Sequence, residues 1–230
     1  DGGSDYENED NWDREPEGHK DTSFVDDIED LNDDMEGKMT DICFVAGTKI
    51  TMADMSVKNI EDIKIGDQVL SYNFATEKLE PQIVHDFMNP VHSDIVEFVF
   101  DNGVSSKHTF DHPYWVINKG WSSYKPDLTI SHYGDKTKDL RKVSEIQIGD
   151  YCLNDKKEVN AIVQINKLEM KPIRTYNIGV VKNSNYFADG VLVHNKVPQG
   201  GANPDGGIQK KGILIDISTK ELETLTETGD

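Results

Sequence analysis

Two twelve-residue segments of this 230-residue chain align without a gap. They are NIEDIKIGDQVL, residues 59–70, and KVSEIQIGDYCL, residues 142–153, which lie 83 positions apart. In each copy, Ile-x-Ile-Gly-Asp is typical of an apolar strand, then a turn in which glycine adopts backbone angles that other residues avoid, and then a new strand. Two copies predict two related β-subdomains within one fold.

The rest of the chain between residues 43 and 195 agrees with this prediction. Short runs rich in Val, Ile, Phe and Tyr are interrupted at intervals of about 8 to 12 residues by Gly, Asn, Asp or Pro, and this pattern is typical of all-β proteins. No long stretch has helical periodicity. The repeat aligns Cys152 with Val69, so we interpret Cys152 as a small buried hydrophobic residue on a strand.

The N-terminal flank, residues 1–42, has a different composition. It contains 17 acidic and 3 basic residues, which places 14 of the 19 excess negative charges of the chain in this segment. Such a segment has too little apolar surface to fold alone, so we predict that it is mostly disordered. We interpret it as a solubilising spacer, with contact to a protein partner as the alternative. Its acidity argues against nucleic-acid binding.

Several protein classes are disfavoured by what the sequence lacks. No run of about 18 apolar residues and no basic leader before an apolar run is visible, so we predict neither a membrane segment nor a signal peptide. Cys43 and Cys152 can form at most one disulfide, and we expect free thiols in a reducing compartment. His108 and His112 are too few to predict a zinc site, and no cofactor is predicted. The chain begins with Asp1 instead of Met, so we interpret it as part of a longer protein.

Cys43 begins the segment CFVAGTKI directly after the acidic flank. Its thiol can attack the carbonyl carbon of Ile42 and convert that peptide bond to a thioester, an N-to-S acyl shift. Because an amide is more stable than a thioester, this reaction needs a proton donor for the departing amine and a hydrogen-bond donor for the oxyanion.

The segment TFDHPYWV, residues 109–116, contains suitable groups. An imidazole with an ordinary pKa near 6.5 can protonate the departing nitrogen at neutral pH, which makes His112 a candidate acid. The hydroxyl or backbone N–H of Thr109 could hold the oxyanion. Asp111 lies between them and completes the candidate catalytic set.

The strand-like segment NYFADGVLVHN ends in His194 and Asn195 and is followed by Lys196. The side-chain amide of Asn195 can attack its own main-chain carbonyl, close a succinimide ring and expel the amine of Lys196. His194 can polarise that carbonyl or protonate the leaving amine. The two ends of the domain therefore predict two peptide-bond reactions.

In chain order, CFVAGTKI, TFDHPYWV and RTYNIGVVKNSNYFADGVLVHN resemble the motifs of the Hint family, the self-processing domains of inteins, bacterial intein-like proteins and hedgehog proteins. The resemblance covers residues 43–195 and implies a horseshoe of β-strands with pseudo-twofold symmetry. It implies that Cys43 is the first nucleophile, that Thr109 and His112 assist it, and that His194 and Asn195 form the C-terminal cleavage pair. Only residues 118–140 separate the two halves, too few for a homing endonuclease, so the chain resembles a minimal member.

The sequence departs from the splicing members of that family at three positions. Asn177 lies where many inteins have an acidic residue that couples the two cleavages, and Ser184 lies where the family often has histidine; we treat both as supporting residues. Lys196 replaces the Cys, Ser or Thr that accepts the acyl group during splicing. Because its side chain, with a pKa of about 10.4, is mostly protonated at neutral pH, standard splicing is predicted to fail.

We therefore predict a single-turnover domain that cleaves its own flanks, its only substrates. Aminolysis of the thioester by the released α-amine of Lys196 would instead join it to Ile42, and we favour cleavage over this ligation. The alternative is a catalytically silent Hint-fold domain that acts as a structural or interaction element of a larger assembly. Residues 196–230 are interpreted as the C-terminal flank, a Gly/Pro linker followed by a short strand and a helix.

Overall fold

The computed structural model describes residues 41–195. The strands are β1 (Phe44–Val45), β2 (Lys49–Thr51), β3 (Val57–Asn59), β4 (Gln68–Asn73), β5 (Lys78–Met88), β6 (Val91–Phe100), β7 (Ser105–Thr109), β8 (Tyr114–Val116), β9 (Gly120–Ser123), β10 (Ser144–Glu145), β11 (Tyr151–Leu153), β12 (Val159–Val180), β13 (Asn185–Ala188) and β14 (Val191–His194). Helix α1 spans Pro126–Tyr133, and 3₁₀ turns occupy Ile60–Asp62 and Lys138–Leu140. The predictions for the acidic flank before residue 41, for Lys196 and for the C-terminal linker, strand and helix lie outside the described residues.

The strands form one connected system, and the all-β prediction is confirmed. Its main path runs β1-β7-β6-β12-β11-β8-β14-β13-β2-β3. The 22-residue strand β12 pairs with β1, β5, β6 and β11. Its register shifts between Glu169 and Ile173 and again between Gly179 and Val180, and such irregularities bend a strand. One bent strand therefore links the two halves of the domain.

The two sequence repeats form the same turn. In the first copy, the N–H of Gly66 donates to the carbonyl of Val84 at 2.8 Å, and the N–H of Val84 donates to Asp67 at 2.9 Å. The second copy makes the equivalent bonds at the same distances, Gly149 to Ile162 and Ile162 to Asp150. The glycine φ angles are +96° and +92°, a left-handed conformation that other residues adopt at a cost. The predicted pair of related subdomains is therefore confirmed by matching hydrogen bonds.

One detail of the repeat prediction is wrong. The Ile-x-Ile segment was expected to be an apolar strand, but Ile65 and Ile148 are 68% and 64% exposed. Only the first isoleucine of each Ile-x-Ile segment, Ile63 or Ile146, is buried. The chain turns at once after the buried isoleucine, so the second isoleucine faces solvent.

The core consists of two apolar clusters that meet at the N-terminal junction of the domain. The first contains Phe44 together with the aromatic rings of β6, β8 and β13, and the second contains Ile42 together with Trp115 and Trp121. Cys43, between them in sequence, is completely buried. Burial of a large aliphatic or aromatic side chain contributes about 1.5–3 kcal/mol. The backbone at Cys43 is thus fixed on both sides by core packing.

Helix α1 was not predicted from the sequence, because its eight residues are too few for a clear helical period. Pro126 occupies its first turn, where the missing N–H costs nothing. Thr129 and Tyr133, four residues apart, point into the protein and are buried. Within residues 41–195 no helix has the length and apolarity that crossing a bilayer demands.

Both cysteines are buried thiols that form no disulfide. Cys152 lies on β11 and is fully buried, as is its counterpart Val69 on β4. The interpretation of Cys152 as a small core residue is therefore confirmed. Its burial raises the pKa of the thiol well above the usual range.

Candidate active site

The carbonyl group of Ile42 is held by a side chain from the far end of the domain. Strand β1 pairs with β12 so that Phe44 lies opposite Tyr176, and continuing this register places Cys43 opposite Asn177. The side-chain amide nitrogen of Asn177 donates a hydrogen bond to the Ile42 carbonyl oxygen. A donor aimed at this oxygen is the element that stabilises an oxyanion during acyl transfer.

Asn177 is itself fixed in orientation. Its amide oxygen accepts hydrogen bonds from the Tyr186 hydroxyl at 2.8 Å and from the Ile178 N–H at 2.7 Å. The amide therefore cannot flip without losing both bonds, and its nitrogen stays directed at Ile42. Sequence reasoning named Asn177 only as a supporting residue, whereas it directly contacts the bond that would react.

The nitrogen of the same peptide bond is held by Thr109. The Cys43 N–H donates to Thr109 Oγ1 at 3.1 Å, and the Thr109 N–H donates to the carbonyl of Cys43 at 2.9 Å. The prediction that Thr109 holds the oxyanion is therefore wrong, because Thr109 contacts the nitrogen side of this peptide bond and not the Ile42 carbonyl oxygen. Asn177 therefore contacts the carbonyl oxygen of the Ile42–Cys43 peptide bond, and Thr109 contacts its nitrogen.

The Cys43 thiol lies in a dry environment. Burial raises its pKa well above the usual range, and a hydrogen bond with the Thr175 side chain offsets part of that rise. Thr175 Oγ1 lies 2.7 Å from His92 Nδ1 and donates to the carbonyl of Pro90 at 3.0 Å. Burial also lowers the pKa of His92. Sequence reasoning missed Thr175 and His92; the only signal was that Thr175, two positions before Asn177, must share its face of the strand.

His112 is completely buried, and neither ring nitrogen makes a hydrogen bond of good geometry. Burial is the main cause of a pKa far below 6.5, and the neighbouring His108 and His194 lower it further. The nearby backbone groups of His194 and Cys43 act in the opposite direction and partly raise this pKa. Burial therefore favours the neutral form of the His112 ring, in contrast to the ordinary pKa that the sequence suggested, and the ring lies near the backbone of both Cys43 and His194.

Asp111 contacts helix α1. Its carboxylate lies 3.0 Å from Nδ1 of His132, and this hydrogen bond raises the pKa of His132. Its main-chain carbonyl accepts a hydrogen bond from Thr129 Oγ1 at 2.8 Å. Asp111 thus fastens the loop between β7 and β8, which carries His112, to helix α1, and no pattern in the sequence indicates this role.

At the C-terminal end, the His194 ring lies against the carbonyl that would be attacked. Its Nδ1 is 2.8 Å from the main-chain carbonyl oxygen of Asn195. The N–H of Asn195 donates to the carbonyl of Ser184 at 3.0 Å, and its side-chain amide donates to the carbonyl of Val180 at 3.4 Å. Ser184 therefore supports this junction through its backbone. The predicted pair, His194 and Asn195, is thus linked by a contact between the imidazole and the Asn195 carbonyl.

His108 lies in the aromatic core, with its ring 4.5 Å from that of Phe98 and 4.8 Å from that of Tyr114. Burial lowers its pKa to about 4. Among residues 41–195 no group of three His, Cys, Asp or Glu side chains is arranged to hold a metal ion. Its packing gives His108 a structural role.

Solved structures with the same fold include an intein-like domain and an intein. The solution structure of the bacterial intein-like domain from Clostridium thermocellum matches with a TM-score of 0.54 and 28% identity, covering 66% of this chain and 98% of that domain. The DnaB intein from Synechocystis sp. PCC 6803 matches with a TM-score of 0.51 and 17% identity, covering 67% and 98%, which bears on the fold alone. The described part of the chain therefore has the Hint (hedgehog/intein) fold, in the minimal form of inteins and bacterial intein-like domains.

Other similarities cover about half of the chain. The family model described as "Ataxin-1 and HBP1 module (AXH)" matches residues 44–157. HMG box-containing protein 1 is 27% identical over 128 residues in Rattus norvegicus and over 129 residues in Homo sapiens, covering 48% and 50% of this chain. The chain spans about a quarter of the length of these curated relatives. The AXH match begins one residue after Cys43 and ends before Asn177.

Proposed function

We propose that this domain cleaves its own flanking peptide bonds, by an N-to-S acyl shift at Ile42–Cys43 and by cyclisation of Asn195 at its bond to Lys196. One observation carries the proposal: the reactive peptide groups at both ends of the domain are contacted by polar side chains suited to each reaction. Asn177 and Thr109 contact the first, and His194 contacts the second. Each reaction occurs once per molecule, so the domain is its own substrate.

In the first step, Sγ of Cys43 attacks the Ile42 carbonyl carbon, and the bond from that carbon to the Cys43 nitrogen breaks. Asn177 stabilises the negative charge that develops on the carbonyl oxygen. The thiol proton must end on the departing nitrogen for the step to balance. We assign its transfer to His112, since a neutral imidazole can accept a proton and then release it. Thr109 keeps the departing amine in place.

The depressed pKa of His112 suits this assignment. A histidine that was already protonated could not accept the thiol proton, and a thiol with a raised pKa does not ionise alone at neutral pH. The two groups therefore begin as a neutral pair and exchange one proton during the reaction. Water or a small thiol then attacks the thioester and releases the N-terminal flank with Ile42 at its end.

In the second step, the amide nitrogen of Asn195 attacks its own main-chain carbonyl carbon, and the bond to the Lys196 nitrogen breaks. A proton on Nδ1 of His194 donates to the carbonyl oxygen and lowers the barrier to attack. The amide proton lost from Asn195 balances the proton gained by the Lys196 amine. The domain is left with a terminal succinimide.

Lys196 directs the outcome toward cleavage. Its protonated side chain is a poor acceptor for the acyl group of Ile42, so the branched intermediate of splicing does not form. The α-amine released with Lys196 has a pKa of about 7.7 and can react with the thioester, which would join the flanks. We propose cleavage as the main outcome and this ligation as the minor one.

A catalytically silent domain is the second candidate, and a specific observation favours it. The AXH match does not include Cys43, Asn177 or Asn195, so the similarity to that module does not depend on these three residues. The complete burial of Cys43 would also suit a thiol that never reacts. Under this proposal the Hint fold serves as a structural or interaction element of a larger assembly.

Intact-mass spectrometry over time separates the two candidates. The chain is produced with longer flanks and incubated with and without a small thiol. Self-processing yields fragments that end at Ile42 and at Asn195, and the second fragment is one water molecule lighter than a hydrolysed one. Cys43→Ala removes only the first cleavage, and Asn195→Ala removes only the second. A wild-type chain that remains whole through days of incubation supports the silent domain.

A further inference from the structure

The residue before the nucleophile is buried as if it belonged to the domain. The Ile42 side chain is 1% exposed and lies in the second apolar cluster, with Trp115, Trp121, Leu140 and Phe187. In the self-processing reaction Ile42 supplies the acyl group and leaves with the flank. The side chain of a substrate residue is thus packed within the apolar core of the domain.

Part of the enclosing wall comes from the segment between the two halves of the fold. Tyr133 at the end of α1, Leu140 in the following 3₁₀ turn and Val143 after it all belong to the cluster that contains Ile42. The Tyr133 hydroxyl also accepts a hydrogen bond from the N–H of Ile42 at 2.8 Å. This segment therefore shares an apolar cluster with Ile42 and accepts one hydrogen bond from the Ile42 N–H.

The same segment is fastened to the loop that carries Thr109 and His112. Thr129 donates to the Asp111 carbonyl, and His132 pairs with the Asp111 carboxylate. Ser123 Oγ lies 2.7 Å from Thr129 Oγ1 and fixes the start of the helix to β9. If a poorly fitting residue 42 displaced α1, the loop that carries Thr109 and His112 would therefore be displaced as well.

We propose that residues 126–143 form a recognition pocket for the residue before Cys43, selective for branched aliphatic acyl groups. This inference rests on the proposed self-processing function and adds its substrate selectivity. A charged residue at position 42 would be buried without a partner, and alanine would leave a cavity. An aromatic residue would overfill the space, and proline lacks the N–H that Tyr133 accepts.

The test varies residue 42 and measures both cleavages in the same sample by intact mass. Ile42→Val and Ile42→Leu should cleave at Cys43 within about threefold of wild type, because they keep shape and apolarity. Ile42→Ala should be about tenfold slower and Ile42→Asp about a hundredfold slower, since small misplacements of reacting groups cost this much. Cleavage at Asn195 should stay unchanged in all four.

Two pocket variants sharpen the test. Tyr133→Phe removes only the hydroxyl and should slow cleavage at Cys43 about tenfold. Tyr124→Phe is the matched control, because Tyr124 packs on Phe110 outside the Ile42 cluster. Leu140→Ala enlarges the pocket. The double variant with Ile42→Phe and Leu140→Ala should therefore cleave at Cys43 faster than Ile42→Phe alone. Equal rates for every residue at position 42, with no rescue by Leu140→Ala, would overturn the proposal.

A melting comparison keeps this inference separate from self-processing. In a Cys43→Ala background, where the first cleavage cannot occur, Ile42→Asp should lower Tm by about 5 °C or more if the pocket holds residue 42. A wild-type chain that never cleaves, together with this Tm loss, refutes self-processing but retains the pocket. An unchanged Tm refutes the pocket whether or not the chain cleaves.

Discussion

The two junctions of this domain are built in opposite ways. The side chains that hold the Ile42–Cys43 peptide group come from residues 66 and 135 positions away along the chain, Thr109 and Asn177. The group that contacts the Asn195 carbonyl is its immediate neighbour, His194. The N-terminal site therefore exists only when the whole fold exists, whereas the C-terminal site is largely encoded in one dipeptide.

Because the two junctions are held by different contacts, we expect the two reactions to be largely independent. A substitution that removes a long-range contact at Cys43 leaves the local geometry of His194 and Asn195 in place. A substitution at His194 does not touch the contacts of Asn177. The proposed reactions should accordingly be separable by single substitutions, although His112 adjoins the backbone of both junctions.

The largest expected effect is at the local junction. His194→Gln keeps a polar side chain but removes the imidazole from the Asn195 carbonyl, so cleavage at Asn195 should slow by about 10²- to 10⁴-fold. Cleavage at Cys43 should stay within about threefold of wild type if the junctions are independent. Fragment masses over time give both rates. Parallel loss of both rates would contradict the separation.

Removal of the long-range donor should have the next largest effect. Asn177→Ala takes away the hydrogen bond to the Ile42 carbonyl oxygen, and loss of one oxyanion donor costs about 10²- to 10³-fold in rate. Asn166→Ala, on the same strand β12 but paired with Glu97, is the matched control and should retain the rate. Unchanged cleavage at Cys43 in Asn177→Ala would show that this amide is structural only.

The buried histidines predict a loss of stability in acid. The folded pKa of His108 is about 4, below its ordinary value of 6.5, so the unfolded chain binds the proton more readily. Stability is therefore present above pH 6.5 and is lost as pH falls toward 4, by about 3 kcal/mol for this residue. His108→Phe keeps an aromatic ring and should lose less stability over that range.

Denaturant unfolding at pH 7.0 and pH 4.5 measures this effect as a difference between the two chains. Asp94, with a pKa that burial raises to about 6, acts in the opposite direction below that pH, but it is present in both chains and cancels. Equal acid losses in wild type and His108→Phe would mean that His108 is protonated without cost in the folded state.

The smallest expected effect is on stability and concerns the contact between Asp111 and His132 on α1. The Asp111 hydrogen bond raises the folded pKa of His132, so its stabilisation is full below pH 6.5 and is lost as pH rises through the raised value. His132 is partly exposed, so we expect less than about 1 kcal/mol, a Tm change below about 4 °C. Wild type should melt above His132→Gln at pH 6 and together with it at pH 9. The same Tm difference at both pH values would contradict the pairing.

The sequence predicted the features that depend on local pattern. The all-β fold, the paired turns at Gly66 and Gly149, and the His194–Asn195 pair followed from residue spacing and resemblance. The solvent-facing Ile65 and Ile148 were missed, because apolar residues predict burial and these two sit on turns.

The contacts that the sequence did not predict are those between distant strands. Nothing along the chain indicates that Asn177 contacts the Ile42 carbonyl, that Thr109 contacts the Cys43 nitrogen, or that Tyr133 contacts the Ile42 N–H. Each contact depends on the register of β1 against β12 or on the position of a two-turn helix, and both are set by tertiary packing. The role of Asp111 was wrong for the same reason, since its partner His132 is on that helix.

A mass-spectrometric time course can show whether the domain cleaves at both junctions and whether the two cleavages are independent. Wild type, Asn177→Ala and His194→Gln are incubated with longer flanks and a small thiol, and the fragments ending at Ile42 and at Asn195 are quantified separately. We expect both fragments in wild type, loss of only the first in Asn177→Ala and loss of only the second in His194→Gln. A wild-type chain that stays intact, or a single variant that abolishes both cleavages while remaining folded, would contradict this expectation.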